Sequence, residues 1–211
     1  MLPVNQYYEN VANNLLEKFK KRRFEAFYCP TKEDALKKVL EIIPIKSVVS
    51  YGGSESIKEA GILDSILEGD YTVIDRHAGD TDEEERQSLI KSTFCDYYLM
   101  SSNAITKNGE LVNIDGFGNR VAALTFGPHN VILVVSMNKL CEDVENAIWR
   151  VQNNASPKNA NRLNRKTPCA ITGSCGDCYG DASLCSSIVI TRRSTKPGRI
   201  KIILVAEDLG Y

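Results

Sequence analysis

Four cysteines, Cys169, Cys175, Cys178 and Cys185, fall within the polar stretch "CAITGSCGDCYGDASLC" at residues 169–185. The two residues between Cys175 and Cys178 are the interval at which one chain presents two thiolates to the same ion. Four thiolates crowded together repel one another and lose hydration, and a bound cation offsets that charge. Gly173, Gly176 and Gly180 leave the backbone free to wrap an ion and to aim N–H groups at sulfur. Zinc and a [4Fe–4S] iron–sulfur cluster both accept four cysteines, and the spacing matches neither the zinc-ribbon nor the bacterial ferredoxin template, so the identity of the metal stays open. Free thiols and disulfide pairs are the other states open to such a loop. Cys29, Cys95 and Cys141 lie on or beside expected strands and a helix start, where cysteine behaves as a small buried hydrophobe.

Two glycine loops carry the remaining chemistry. In "SYGGSES", Gly52 and Gly53 permit a tight turn, and Ser54 and Ser56 add hydroxyls to the amides of a helix start that attracts phosphate or carboxylate. The alternative is an ordinary strand-to-helix turn with a serine cap. In "NIDGFGNR", Asp115 and Arg120 flank Gly116 and Gly118; Asp115 is suited to orient a hydroxyl or act as a base, Asn119 to donate, and Arg120 to grip a carboxylate or phosphate with both nitrogens. Asp115 and Arg120 pairing with each other is the competing reading. Asn103, a strand earlier, can reach the same crevice. Glu55 reads as a solvated first-turn glutamate. His77 follows a strand and is either a ligand contact or a surface-turn histidine, and Trp149 with Ile148 reads as a core face.

These residues need elements to position them. Tyr8, Val11, Leu15 and Phe19 recur at helical spacing over residues 5–25, and "FEAFYCP" is a short strand stopped by Pro30. A threonine-capped helix follows over 31–44, then the strand "KSVVSYGG" and one helical pattern over 56–68. "YTVID", an acidic-started helix over 81–94, and "CDYYLMSS" continue the alternation. "HNVILVVSM" is apolar almost throughout, as in a strand buried on both faces of a parallel sheet. "LCEDVENAIWRVQNNASP" is the last strong helix, and the runs "SSIVITRRS" and "GRIKIILVAED" either pair as a hairpin or return to the main sheet. The alternation predicts an α/β fold, a parallel-rich sheet flanked by helices, in one domain over 1–211: N-terminal helix and strand at 5–28, cysteine loop at 166–187, C-terminal strands at 186–206.

With 26 basic and 27 acidic residues the net charge is −1 and no Lys/Arg stripe stands out, which argues against a nucleic-acid partner. No run approaches the roughly 18 apolar residues of a membrane helix and no secretory leader is evident, so the expectation is a cytoplasmic protein without membrane insertion, whose thiols stay reduced.

Taken together, "SYGGSES", "SSNAITKNGELVNIDGFGNRVAAL", "GPHNVILVVSMNKL" and the terminal cysteine pattern resemble the LUD-domain (DUF162) family, which includes the LutC/YkgG-like lactate-utilization proteins. The resemblance covers roughly residues 5 to 195. It implies the fold of ribose-5-phosphate isomerase, glucosamine-phosphate deaminase and the CoA transferases, with ligands at strand ends, and for Glu55 an analogy to CoA-transferase nucleophiles at the level of fold. His129 stands where a lysine is common in the "GP" segment and is given no role. Two functions follow. One is an accessory or electron-transfer component of lactate or related 2-hydroxy-acid utilization, with iron–sulfur oxidoreductase subunits as partners. The other is a stand-alone enzyme or binding protein for a small anionic metabolite, phosphorylated or CoA-linked, at the glycine loops, with a structural metal or none.

Overall fold

The apolar stripe of the first segment is buried as expected: in α1 (Pro3–Lys21), Ala12, Leu15 and Phe19 are almost wholly shielded from solvent. The computed structural model describes residues 3–76 and 78–211; His77 lies outside the described residues. β1 (Glu25–Cys29) and α2 (Lys32–Ile42) follow, the helix capped by Thr31, whose hydroxyl accepts from the Asp34 amide. After β2 (Val48–Tyr51) the expected single helix over 56–68 is two, α3 (Glu55–Glu59) and α4 (Ile62–Glu68). Gly61 between them has φ of 67°, a left-handed conformation that a right-handed helix cannot continue through. β3 (Thr72–Val73), α5 (Asp82–Ser92) with its Thr81/Glu84 capping box, and β4 (Tyr97–Met100) match their sequence signals.

A short hairpin strand that the sequence reading lacked, β5 (Ala104–Thr106), precedes β6 (Leu111–Asp115), α6 (Asn119–Thr125) and β7 (Asn130–Ser136). A 3₁₀ turn, Met137–Lys139, and β8 (Leu140–Cys141) lead into α7 (Val144–Arg150). The helix continues through a π-helical turn at Val151–Ala155 into α8 (Ser156–Arg162). α9 (Pro168–Thr172), β9 (Ser187–Thr191) and β10 (Ile200–Val205) complete the chain.

The main sheet has six strands in the order β1-β10-β7-β4-β2-β3, every neighbouring pair parallel. Its centre is apolar on both faces, as a parallel sheet requires: Val131 to Val135 are wholly buried. One face packs on α1 and α6 through Phe19, Leu124 and Leu133, the other on α2, α3 and α4 through Val39, Ile57 and Ile62. The second sheet, β8-β5-β6-β9, packs on α7 and the π turn through Val112, Ala147 and Val151.

The two closing runs separate. β9 pairs antiparallel with β6 in the small sheet, whereas β10 enters the main sheet between β1 and β7. Burial explains the choice: β9 alternates between half-buried and exposed residues, while β10 is buried along nearly its whole length. Trp149 is 65% exposed and is not part of a core face. Ala147 and Val151 turn inward, and a residue two positions from each points to the opposite side of the helix.

Candidate functional site

The carboxyl ends of β2, β4, β7 and β10 open at one edge of the main sheet, where parallel folds hold ligands. There Ser54 and Ser56 follow β2, Ser101 and Ser102 follow β4, Lys139 follows β7, and Gly210 and Tyr211 follow β10. Together with Asn103, Arg120 and Arg162 they line a polar cavity of about 110 Å³. That is well below the roughly 300 Å³ at which pockets for drug-sized ligands begin.

Lys139 is the most unusual group in it. Its side chain is buried, and Nζ donates to Ser56 Oγ at 2.7 Å and to Ser101 Oγ at 3.2 Å. Burial, with Arg150 and Arg120 adding repulsion against a partly opposing Glu59, brings the ammonium down from 10.5 to about 7. Arg150 holds the surrounding loops, donating to the carbonyls of Asn103 and Asn138.

The structure brings together most of the residues expected to act. Gly53, Ser54, Glu55, Ser56, Asn103 and Arg120 all line the cavity. Ser54 also caps α3, accepting from the Ile57 amide. Gly52 sits where a side chain would meet Arg120 Cδ at 3.2 Å and Tyr98 Oη at 3.3 Å. Arg120 and Asp115 pair with each other, Nε to Oδ2 at 3.3 Å, and Asp115 Oδ1 accepts from the Gly118 amide. The rest of the guanidinium donates to Asn113 Oδ1, Asn103 Oδ1 and the Ile114 carbonyl. Arg120 is thus the hub that binds the second glycine loop to the small sheet, with little donor capacity left over. Asn119 opens α6, and Gly116 and Gly118 shape the loop; none of the three lines the cavity.

Glu55 Oε1 stands 3.5 Å from Arg162 and 3.4 Å from Lys58 with no hydrogen bond among the described residues, and the Tyr211 hydroxyl lies beside Arg162. Buried polar atoms left this way at a cavity wall are the places a ligand or water satisfies. Sequence reasoning missed Lys139, Ser101, Arg162 and Tyr211. Lys139 had a signal: it follows the most apolar strand, β7, as "GGSES" follows β2.

The cysteine loop forms one wall. Leu184 lines the cavity, its carbonyl oxygen 3.1 Å from where a Gly116 side chain would begin. Cys185 Sγ lies 3.5 Å from Ser156 Oγ, the Cys175 amide donates to Asn153 Oδ1, and Cys169 Sγ meets Thr167 Oγ1 at 3.2 Å. Burial raises the Cys185 thiol, the Ser156 contact opposes this, and the nearby Cys169, Cys175 and Cys178 raise it further. Among the described residues no three His, Cys, Asp or Glu side chains form a ready coordination shell. All seven cysteines are free, and Cys29 and Cys95 are buried, as expected for small core hydrophobes.

The LUD domain family profile matches residues 12–205, nearly the whole chain. The chain belongs to the LUD-domain family. This LUD domain is similar in fold to a DUF162 family protein from Deinococcus radiodurans, with a TM-score of 0.52 over 94% of this chain and 98% of that one at 11% identity. A ribose 5-phosphate isomerase A from Neisseria gonorrhoeae aligns over 54% of each chain at 11% identity with a TM-score of 0.34, too distant to bear on the argument. No curated protein matches this LUD domain. Among its described residues no helix is long and apolar enough to cross a membrane.

Proposed function

We propose that this LUD domain binds a small carboxylate of the 2-hydroxy-acid or 2-oxo-acid class in the strand-end cavity, as a component of lactate-type 2-hydroxy-acid utilization. One observation carries this reading: a buried lysine with no carboxylate bonded to it stands in a cavity of about 110 Å³ that is also lined by two guanidiniums. A buried amine with no carboxylate bonded to it is costly to protonate, and an anionic ligand lowers that cost. Arg162, one third exposed at the rim, has an Nη1 engaged only at 3.5 Å with Glu55 and is the group best placed to receive a carboxylate. The small volume favours a short acid over the phosphorylated or CoA-linked alternatives.

The test is calorimetric titration of wild type and Arg162→Gln with lactate, glycolate, pyruvate, inorganic phosphate and coenzyme A. Binding of the short carboxylates, weakened about tenfold or more in Arg162→Gln, is expected for the loss of a charge-assisted pair. Binding of phosphate or coenzyme A with no response to short acids would replace this reading with the other one.

The loop bearing Cys169, Cys175, Cys178 and Cys185 is proposed to hold zinc or an iron–sulfur cluster. Four soft sulfur donors within seventeen residues suit either group, and such a loop draws into a coordination shell when its metal binds. An iron–sulfur cluster would supply one-electron transfer at the wall of the cavity, and zinc would only hold the loop in place. Iron, zinc and labile sulfide measured in anaerobically prepared wild type and in Cys175→Ser/Cys178→Ser decide the matter. Less than about a tenth of an equivalent in wild type, or equal loading in the double variant, removes the metal.

A further inference from the structure

The hydrogen bonds around Lys139 have a direction. Ser56 Oγ accepts from Nζ and passes its own proton to the Leu209 carbonyl at 3.2 Å, while Ser101 Oγ accepts from Nζ and donates to the Ser102 carbonyl at 3.3 Å. Both hydroxyls are thereby committed as acceptors toward the amine. A neutral amine has two N–H bonds, and both are used; its lone pair occupies the remaining tetrahedral position. Among the described residues no further acceptor bonds to Nζ, so an ammonium would leave one N–H unsatisfied. Gly210 keeps the approach clear: at φ of 60° it passes so near that a Cβ there would stand 3.2 Å from Nζ and 2.7 Å from Ser56 Oγ.

We propose that Lys139 is a nucleophile that forms an imine with the carbonyl carbon of a small 2-oxo acid or aldehyde acid held in this cavity. The proposal rests on the carboxylate-binding reading above and deepens it by naming the reacting group and the oxidation level of the ligand. Burial, which makes much of this amine neutral near pH 7, supplies the free base that such chemistry needs.

The steps balance without any further reactant. The Nζ lone pair adds to the carbonyl carbon as the C=O π electrons move to oxygen. One Nζ proton passes to that oxygen, giving a carbinolamine. The nitrogen lone pair then expels the hydroxyl, which leaves as water with a second proton from nitrogen. The sum is amine plus carbonyl giving imine plus water. Arg162 at the rim is the group that would hold the acid's carboxylate while its carbonyl points inward to the amine. A 2-hydroxy acid has no ketone or aldehyde carbonyl and cannot react this way, so the reaction separates the two oxidation levels of one carbon skeleton. In sequence, a reaction that oxidises a 2-hydroxy acid would supply the compound captured here.

The experiment is reductive trapping. The full chain is incubated with pyruvate or glyoxylate and sodium cyanoborohydride, then analysed by intact mass and peptide mapping, with lactate as the carbonyl-free control. One reduced adduct per chain, mapped to Lys139, is expected with the oxo acids and none with lactate. Labelling at that peptide should fall to about a tenth or less in Lys139→Arg, which keeps the charge but not the nucleophile. Lys139→Met serves if the arginine variant does not fold. Adducts spread over surface lysines in wild type, with Lys139 unlabelled, overturn the proposal whatever the variants do. Pyruvate bound by calorimetry but never trapped at Lys139 overturns the imine and leaves the carboxylate site standing. Absence of both binding and trapping overturns the two together.

Discussion

Lys139 Nζ lies 2.7 Å from Ser56 Oγ, a bond that joins the turn after the most buried strand to the glycine loop 83 positions earlier. It joins the ends of β7 and β2, the strands on either side of β4, into one site, and it sets the electrostatic character of the cavity.

Stability should carry the signature of this lysine. Its folded pKa is about 7 against an ordinary 10.5, so between those values the unfolded chain binds the extra proton. Stability from this group is therefore full above pH 10.5 and is lost as pH falls to 7, below which the penalty is constant. Arg150 and Arg120 reinforce the shift and Glu59 opposes it. Urea unfolding of Lys139→Met should lack this slope and should gain most relative to wild type at pH 7 and below. Parallel pH profiles for the two proteins would show that Lys139 is not buried as a charge.

Arg120→Ala removes the partner of Asp115 and three other acceptors at once. Breaking a buried pair from one side costs about 3–5 kcal/mol, and chemical denaturation should show a loss of that order. Arg120→Lys should recover only part of it, because a single ammonium cannot span Asn113, Asn103 and the Ile114 carbonyl together.

Gly118 precedes α6 at φ of 88°. Gly118→Ala should cost about 1–2 kcal/mol by forcing an L side chain into the left-handed region, although nothing lies within 4 Å of the added methyl. The midpoint of thermal unfolding reads the loss. An unchanged midpoint would mean that the second glycine loop adopts another conformation.

The cysteines should divide by reactivity. Burial pushes Cys29 up to about 11 and Cys95 up to about 12, whereas Cys175 is exposed. Maleimide at neutral pH should label Cys175 rapidly and Cys29 and Cys95 only on unfolding, because the thiolate is the reacting form. Preincubation with zinc or reconstitution with iron and sulfide should slow labelling of Cys169, Cys175, Cys178 and Cys185 together if they share one ion, and of none or only some if they do not.

Much of this protein was legible in its residues because local rules carried it. The Thr31 and Thr81 caps, the α1 stripe and the run at 130–136 each announce their element through contacts within a few positions. The patterns of β9 and β10 also differ in sequence, "SIVIT" alternating where "IKIILV" is nearly continuous, but which strands they join depends on partners more than fifty residues away. The glycine loops were visible as loops, since Gly and Ser after an apolar run mark a turn wherever they occur. What the tertiary structure decided is which strand ends meet. The order β10-β7-β4-β2 lays Tyr211, Lys139, Ser101 and Ser56 side by side although they are scattered along the sequence. It turned Arg120 from a free guanidinium into a structural hub, and a lysine to which the sequence reading gave no role into a buried amine. Those outcomes depend on desolvation and on long-range pairing, which arise only when distant segments exclude water from one another.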